Sequence, residues 1–333
     1  MNHTPLLKTQ QISKELGKHI PFFTVVTDLG SGHCMWFEKN VNKLYVASDR
    51  LYKLARRRGG TPPERIAMTG LPIRHGFAVQ AEQLGDRTTP EGKEYQRKMR
   101  IQLGMDGEKP MVLVMGGGEG VGSLSDIVNE LYAELYQQGV DATICVVCGR
   151  NEKLKDELST RDFAQVAEEI NTNSTGKKRR RFLSRVFGRK KANQDVNGQD
   201  IENGNNVKGQ IDVLPLGFVT DMPEYMVAAD VLVTKAGPGT IAEAAAVGLP
   251  VMMTSFLPGQ EAGNVDVVLE GGFGEYSKRP SEIADIVASW LQDSDLLSSM
   301  SQAAKKAGHP YAADEIVRDI GQQTIAWMTL NEK

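Results

Sequence analysis

Three observations predict an α/β protein built from parallel sheets in two domains. Short apolar, β-branched runs alternate with helical stretches from one end of the sequence to the other. Several of these runs end directly in Gly-rich turns, and Gly makes up about a tenth of the chain, above the usual share of roughly 7%. The length, 333 residues, suits two domains of ordinary size. Strand–helix alternation of this kind gives βαβ units with right-handed crossovers.

Taken in order, FFTVV (22–26), LYVAS (44–48) and RIAMTG (65–70) read as strands, with a basic helix from Leu51 to Arg58 between the last two. The sequence then turns polar and Gly/Pro-rich from Asp86 to Gly92, and EYQRKMRIQLG reads as a short helix. The boundaries expected from this are a partial first domain over 1–85, a linker over 86–108 and a second domain over 109–330. The second series is more complete. It runs MVLVMGGG (111–118), a helix from Leu124 to Gln138, TICVVCG, a helix starting near Asn151, IDVLPLGF, a helix over Met222–Ala229, VLVTKAG, a helix from Thr240, PVMMT and EGGFGEY. A C-terminal stretch from Pro280 to Leu330 has helical periodicity. The first domain is short by its opening strands. The interruption at 170–210 is rich in Asn, Gln, Gly, Ser, Lys and Arg, too polar to bury a core, and is expected to be a disordered insertion.

Composition excludes several classes. With 39 basic and 42 acidic residues the net charge is −3, so no nucleic-acid partner is expected on global grounds. No run approaches the roughly 18 apolar residues of a spanning helix, and MNHTPLLKTQQ carries no signal-peptide pattern. Three cysteines are too few for a disulfide framework. Cys145 and Cys148 form a C-x-x-C inside an apolar strand, where positions three apart face opposite sides, so neither a redox pair nor a shared metal fits. The histidines show no ligand spacing, and no metal is predicted. Inside the insertion, KKRRRFLSRVFGRKK (177–191) sets nine basic residues around Phe182, Leu183, Val186 and Phe187. It reads as a solvated loop, as an amphipathic patch for anionic lipid, or as a nuclear or nucleic-acid arm.

Four segments carry candidate chemistry. MGGGEGVG follows a strand, and Gly117 and Gly118 leave room for a ligand to approach backbone N–H groups. No G-x-G-x-x-G can be drawn through it, which argues against a dinucleotide, and a tight strand-to-helix connection is the alternative. VLVTKAGPGTIAEAAAVGLP (231–250) places Lys235, then Gly237, Pro238, Gly239 and Thr240, at the start of a helix on the ligand edge of a parallel sheet. That start favours an anion, and Glu243, expected in the first helical turn, is placed to accept sugar hydroxyls or merely to complement the helix dipole. SFLPGQEAGN (255–264) clusters Gln260, Glu261 and Asn264 one βα unit later, a set suited to a hydroxyl-rich ligand or to a plain polar loop. In the first half, VVTDLGSGHCMWF puts Asp28, His33 and Trp36 just after a strand, as an acceptor site or as a surface loop.

Taken together, VTDLGSGHCMWF, GLPIR (70–74), MGGGEGVG, CGRN (148–151), LGFVTDM (216–222), TKAGPGTIAEA and PGQEAGN resemble the monogalactosyldiacylglycerol synthases of photosynthetic membranes. These are akin to the bacterial lipid II N-acetylglucosaminyltransferases. The resemblance implies the GT-B arrangement, two facing Rossmann-like domains, and transfer of galactose from UDP-galactose to diacylglycerol with inversion. It implies that the second domain binds the donor: the Phe218 backbone against the uracil, Gly237 to Thr240 on the pyrophosphate, Glu243 on the ribose, Gln260 and Glu261 on the galactose. Gly117, Gly118 and Arg150 would line the same cleft. The first domain would take the acceptor, with Trp36 near the lipid and Asp28 or His33 as base. No cofactor beyond the donor is implied, and the setting would be the plastid envelope or thylakoid, at the membrane periphery. The family's acceptor domain opens with a Gly-rich turn carrying a His, to which no segment here corresponds, so a truncated first domain is expected. Another UDP-sugar such as N-acetylglucosamine as donor, or a non-catalytic module binding UDP-sugar and lipid surface, are the alternatives.

Overall fold

A computed structural model describes residues 3–116, 121–174 and 208–331. The first sheet holds β1 (Phe23–Val25), β2 (Lys43–Val46) and β3 (Ile66–Met68), parallel and in that order. The second holds β4 (Met111–Met115), β5 (Ala142–Val147), β6 (Ile211–Leu216), β7 (Val231–Thr234), β8 (Val251–Met253) and β9 (Gly274–Tyr276). Its order is β6-β5-β4-β7-β8-β9, parallel throughout. This is the doubly wound pattern, and its direction reverses between β4 and β7, where such sheets bind ligands at the carboxyl ends of the strands.

Helices α1 (His3–Leu16), α2 (Asp49–Arg57) and α3 (His75–Leu84) accompany the first sheet, and α4 (Pro90–Gln102) leads to the second. Around the second lie α5 (Val121–Gln138), α6 (Glu152–Ser159), α7 (Phe163–Ser174), α8 (Met222–Ala228), α9 (Pro238–Ala246), α10 (Ala262–Gly271), α11 (Pro280–Gln292) and α12 (Ser294–Ala307). The chain closes with α13 (Ala312–Asn331).

The inner strands β4, β5, β7 and β8 bury both faces, as parallel strands do. Val112, Val114, Ile144, Val146, Val231 and Val233 pack with residues of α5 and α11. Met111, Leu113, Cys145 and Leu232 pack into a core that continues through α8 and α9 to Leu44, Val46, Leu51 and Phe77 of the first domain. Alternation therefore sends Cys145 to one core and Cys148 to the other, as strand geometry requires. Both thiols are free, and burial pushes Cys145 up to about 12.

The segment expected as a linker, 86–108, is built firmly onto the second domain. Arg87, buried, donates from Nε to the Val247 carbonyl at 2.9 Å, from Nη1 to Ala229 at 2.6 Å and from Nη2 to Met226 at 3.1 Å. Those carbonyls end α8 and α9, so one cation satisfies and neutralises two helix C-termini. Arg100 of α4 adds a bond to the Ala228 carbonyl at 2.8 Å and an ion pair to Asp230 at 2.7 Å.

The final helix departs from the sequence division. α13, expected with the second domain, returns to the first, where Tyr45 Oη of β2 donates to Asp319 Oδ2 at 2.8 Å. On the way His309 packs against Gly70, whose φ is +88° and where an added Cβ would lie 2.3 Å from that of His309. Of the expected insertion, 170–174 complete α7, and 175–207, including the basic stretch 177–191, lie outside the described residues. Among the described residues no helix is long and apolar enough to cross a membrane.

Candidate active site

The site grows from the end of β7. Lys235 is the first residue past the strand, and the turn Ala236–Gly237 then opens α9. The helix starts at Pro238, not at Thr240, because Pro is preorganised for the first helical position while Gly237, extended at φ −73° and ψ 129°, serves as N-cap. Glu243 accordingly sits in the second turn, not the first. Gly237 has no side chain with which to cap, and among the described residues no side chain caps this N-terminus. The first-turn N–H groups of α9 therefore point to the carboxyl edge of the sheet with the positive end of the helix dipole, a ready anion seat. Gly239 faces open space, with no atom within 4 Å of an added Cβ.

Around that seat the structure gathers charge. Lys235 Nζ donates to Glu261 Oε1 at 2.5 Å, and Glu261 Oε2 accepts from the Leu257 N–H at 2.8 Å, so this carboxylate is held by its own loop. Gln260 beside it is exposed. Farther along the edge, Arg150 stands over the ring of Phe218 with 6.0 Å to the centroid, and Phe218 is 70% exposed, a free aromatic face beside a cation. Gly117 and Gly118 lie outside the described residues.

Asn264, read as one of a set suited to a hydroxyl-rich ligand or as part of a plain polar loop, is instead a buried tie between the domains. It is fully buried, its Oδ1 accepting from the Gly30 N–H at 2.9 Å and its Nδ2 donating to the Ala236 carbonyl at 3.0 Å. It ties the loop after β1 to the loop after β7. The same crossing brings Gly30 against Gly263 so closely that a Cβ on Gly30 would lie 1.8 Å from the Gly263 carbonyl oxygen. Ser31 Oγ also donates to the Gln260 carbonyl.

That contact carries Asp28 to the edge of the second domain. Its Oδ1 accepts from the N–H groups of Leu29 at 2.7 Å and Gly30 at 3.3 Å. Burial raises its carboxyl above the ordinary range; the negative charge of Glu261 adds to the rise, and backbone N–H groups oppose it. His33 is exposed and caps the 3-10 turn Cys34–Trp36, its Nδ1 accepting from the Met35 N–H at 3.3 Å. In the neutral ring that leaves the proton on Nε2. Trp36 is half-buried against the first-domain core beside the more exposed Met35.

One contact between the domains escaped the sequence. Glu243, 14% exposed at its side chain, is held by Arg74 of the first domain, with Nε to Oε1 at 2.8 Å and Nη2 to Oε2 at 3.0 Å. Both residues lie in quoted motifs, but 169 positions separate them, and nothing local pairs them.

Comparison with known proteins bears on the chemistry. Residues 4–73 match the family model for monogalactosyldiacylglycerol (MGDG) synthase, and residues 158–316 match that for the glycosyltransferase family 28 C-terminal domain. Over 324 residues the chain is 35% identical to monogalactosyldiacylglycerol synthase 1, chloroplastic, of Arabidopsis thaliana, covering 96% of this chain and 49% of that protein. Over 326 residues it is 34% identical to the chloroplastic synthase of Spinacia oleracea, covering 97% and 51%. The chain thus spans about half the length of these relatives. Among solved structures, MurG of Acinetobacter baumannii superposes with a TM-score of 0.52 at 16% identity, over 93% of this chain and 68% of that one. The fold is therefore the GT-B arrangement of two facing α/β domains.

Proposed function

We propose that this chain, which is similar to the monogalactosyldiacylglycerol synthases over 96% of its own length, transfers galactose from UDP-galactose to the free hydroxyl of 1,2-diacylglycerol, inverting to a β-linkage. The observation that carries the reading is the uncapped start of α9 beside Lys235, at the switch point of a doubly wound sheet. In this reading the diphosphate rests on the N–H groups of Gly239 and Thr240. Glu243 accepts from the ribose hydroxyls, the Phe218 backbone and Arg150 flank the uracil, and Gln260 with Glu261 faces the galactose.

Asp28 takes the part of base in preference to His33. Its carboxylate is buried at the domain contact, whereas the Nδ1 lone pair of His33 is already engaged by Met35. The carboxylate removes the proton of the acceptor hydroxyl, whose oxygen attacks the anomeric carbon from the face opposite the diphosphate. The bond from that carbon to the diphosphate oxygen breaks and its electron pair stays with UDP. The helix start and Lys235 stabilise the departing charge, so no metal or further cofactor is invoked. Trp36 and Met35 lie on the acceptor side, toward the lipid. The nine basic residues of 177–191 would favour an anionic membrane surface, in keeping with the chloroplast setting named for the relatives.

Turnover of UDP-galactose with diacylglycerol in lipid vesicles, measured beside calorimetric binding of UDP, tests the reading. Galactolipid formation is expected. Binding of UDP without turnover would turn the chain into a binding module. Failure of UDP to protect the Gly239 and Thr240 amides from hydrogen exchange would remove the proposed seat.

A further inference from the structure

Among the described residues, Arg74 is the one first-domain side chain that bonds to the side chain of a residue assigned above to the donor; Ser31 reaches only the Gln260 main chain. Its position is set by the GLPIR segment. Gly70 turns with positive φ against His309, Leu71 and Ile73 are buried, and the alternation leaves Arg74 facing outward. The guanidinium stands 5.1 Å from the centroid of Phe77, which limits where it can swing. From there it meets Glu243 in a two-bond fork, at 2.8 and 3.0 Å.

A carboxylate offers about four lone-pair sites, two on each oxygen. Arg74 uses one on each, and the fork fixes the plane of the group. One site on each oxygen remains, enough for two vicinal hydroxyls. The N–H groups of Leu29 and Gly30 orient Asp28, and Leu257 orients Glu261, but the only described partner for the Glu243 carboxylate is Arg74.

We infer that Arg74 is a positioning residue for the donor ribose: from the first domain it sets the Glu243 carboxylate so that its remaining lone pairs meet the two ribose hydroxyls. This rests on the assignment of Glu243 to the ribose. It adds that nucleotide affinity, although supplied by the second domain, depends on the first domain being in place. As Arg74 is 54% exposed at its side chain, the pair is not needed to hold the fold, and a direct attraction to phosphate is the competing role for its charge.

The test is calorimetric binding of UDP and of 2′,3′-dideoxy-UDP to the wild-type chain, Arg74→Ala and Arg74→Lys, with a thermal melt for each. The wild type is expected to favour UDP at least tenfold. In Arg74→Ala that preference should collapse to about threefold or less, while dideoxy-UDP binds nearly as before. Arg74→Lys, which keeps the charge but not the fork, should fall close to Arg74→Ala. A purely structural role would weaken both nucleotides together, and so would attraction to phosphate; either pattern overturns the inference. So does tighter UDP binding by Arg74→Ala, which would make the pair a competitor of the ribose. A wild type that does not distinguish the two nucleotides would instead sink the ribose assignment of Glu243.

Discussion

Gly30→Ala probes the place where the two domains touch most closely. The φ of Gly30 is not in the left-handed region, so alanine is conformationally acceptable and only space decides. The new Cβ would lie 1.8 Å from the Gly263 carbonyl oxygen, 1.9 Å from its carbon and 2.6 Å from the Asn264 nitrogen, all backbone atoms. Restoring ordinary contact needs a displacement of roughly 1.5 Å, which breaks the 2.9 Å bond from Gly30 to Asn264. Overpacking of this kind costs about 1–3 kcal/mol, and a buried amide oxygen left without its donor costs about 1–3 more. The expected loss is therefore about 2–6 kcal/mol, read from urea unfolding curves, with turnover falling more than UDP affinity because the anion seat is in the second domain. Gly263→Ala, meeting Gly30 at 2.5 Å, should behave alike but more mildly. A Gly30→Ala protein with the unfolding midpoint and turnover of the wild type would refute the contact.

Gly239→Ala should leave the melting temperature unchanged or raise it, since the Cβ meets no atom and alanine suits a helix. UDP affinity should fall at least tenfold, and unchanged affinity on calorimetry would place the phosphates elsewhere. Glu243→Ala should cost less than about 1 kcal/mol in stability, its partner being a half-exposed arginine, yet raise KM for UDP-galactose markedly in steady-state kinetics. Arg87→Met orphans three carbonyls at two helix ends and should destabilise by about 3 kcal/mol or more in urea. Asp28 has a folded pKa raised chiefly by burial, so its contribution to stability is present in acid and is lost as pH rises through that raised value. Asp28→Asn should therefore melt no lower than the wild type at neutral pH, while turnover drops by about 10² or more; an active Asp28→Asn enzyme would exclude it as base.

Eight of the nine described strands were legible because each is a short, mostly apolar run closed by a turn signal; β9, Gly-Glu-Tyr, is not such a run. The opposite placement of Cys145 and Cys148 followed from alternation alone. The turn from β7 into α9 was legible too, since Lys235 and the Gly-Pro-Gly run lie within five positions. The helix start was misplaced at Thr240 because Pro238 was taken as part of the turn, although its ring suits the first helical position. What stayed hidden depends on distant partners. Arg87 lies in a polar stretch with nothing to announce three carbonyls some 140 to 160 positions away. Asn264 read as a ligand group because the Gly30 loop that claims it lies 234 residues earlier. Arg74 stood in a recognised motif, but its role becomes visible only once the facing domain supplies Glu243.

The return of α13 has a practical consequence for dissecting this protein. The last described helix is bonded to β2 through Tyr45 and Asp319, so the first domain is discontinuous in sequence. A clone begun at residue 109 would carry α13 without its mate. One stopped at residue 108 would leave the Tyr45 hydroxyl with no acceptor at Asp319. Exchange of second domains between related proteins should therefore splice twice, once before β4 and again ahead of His309, leaving the tail with the recipient.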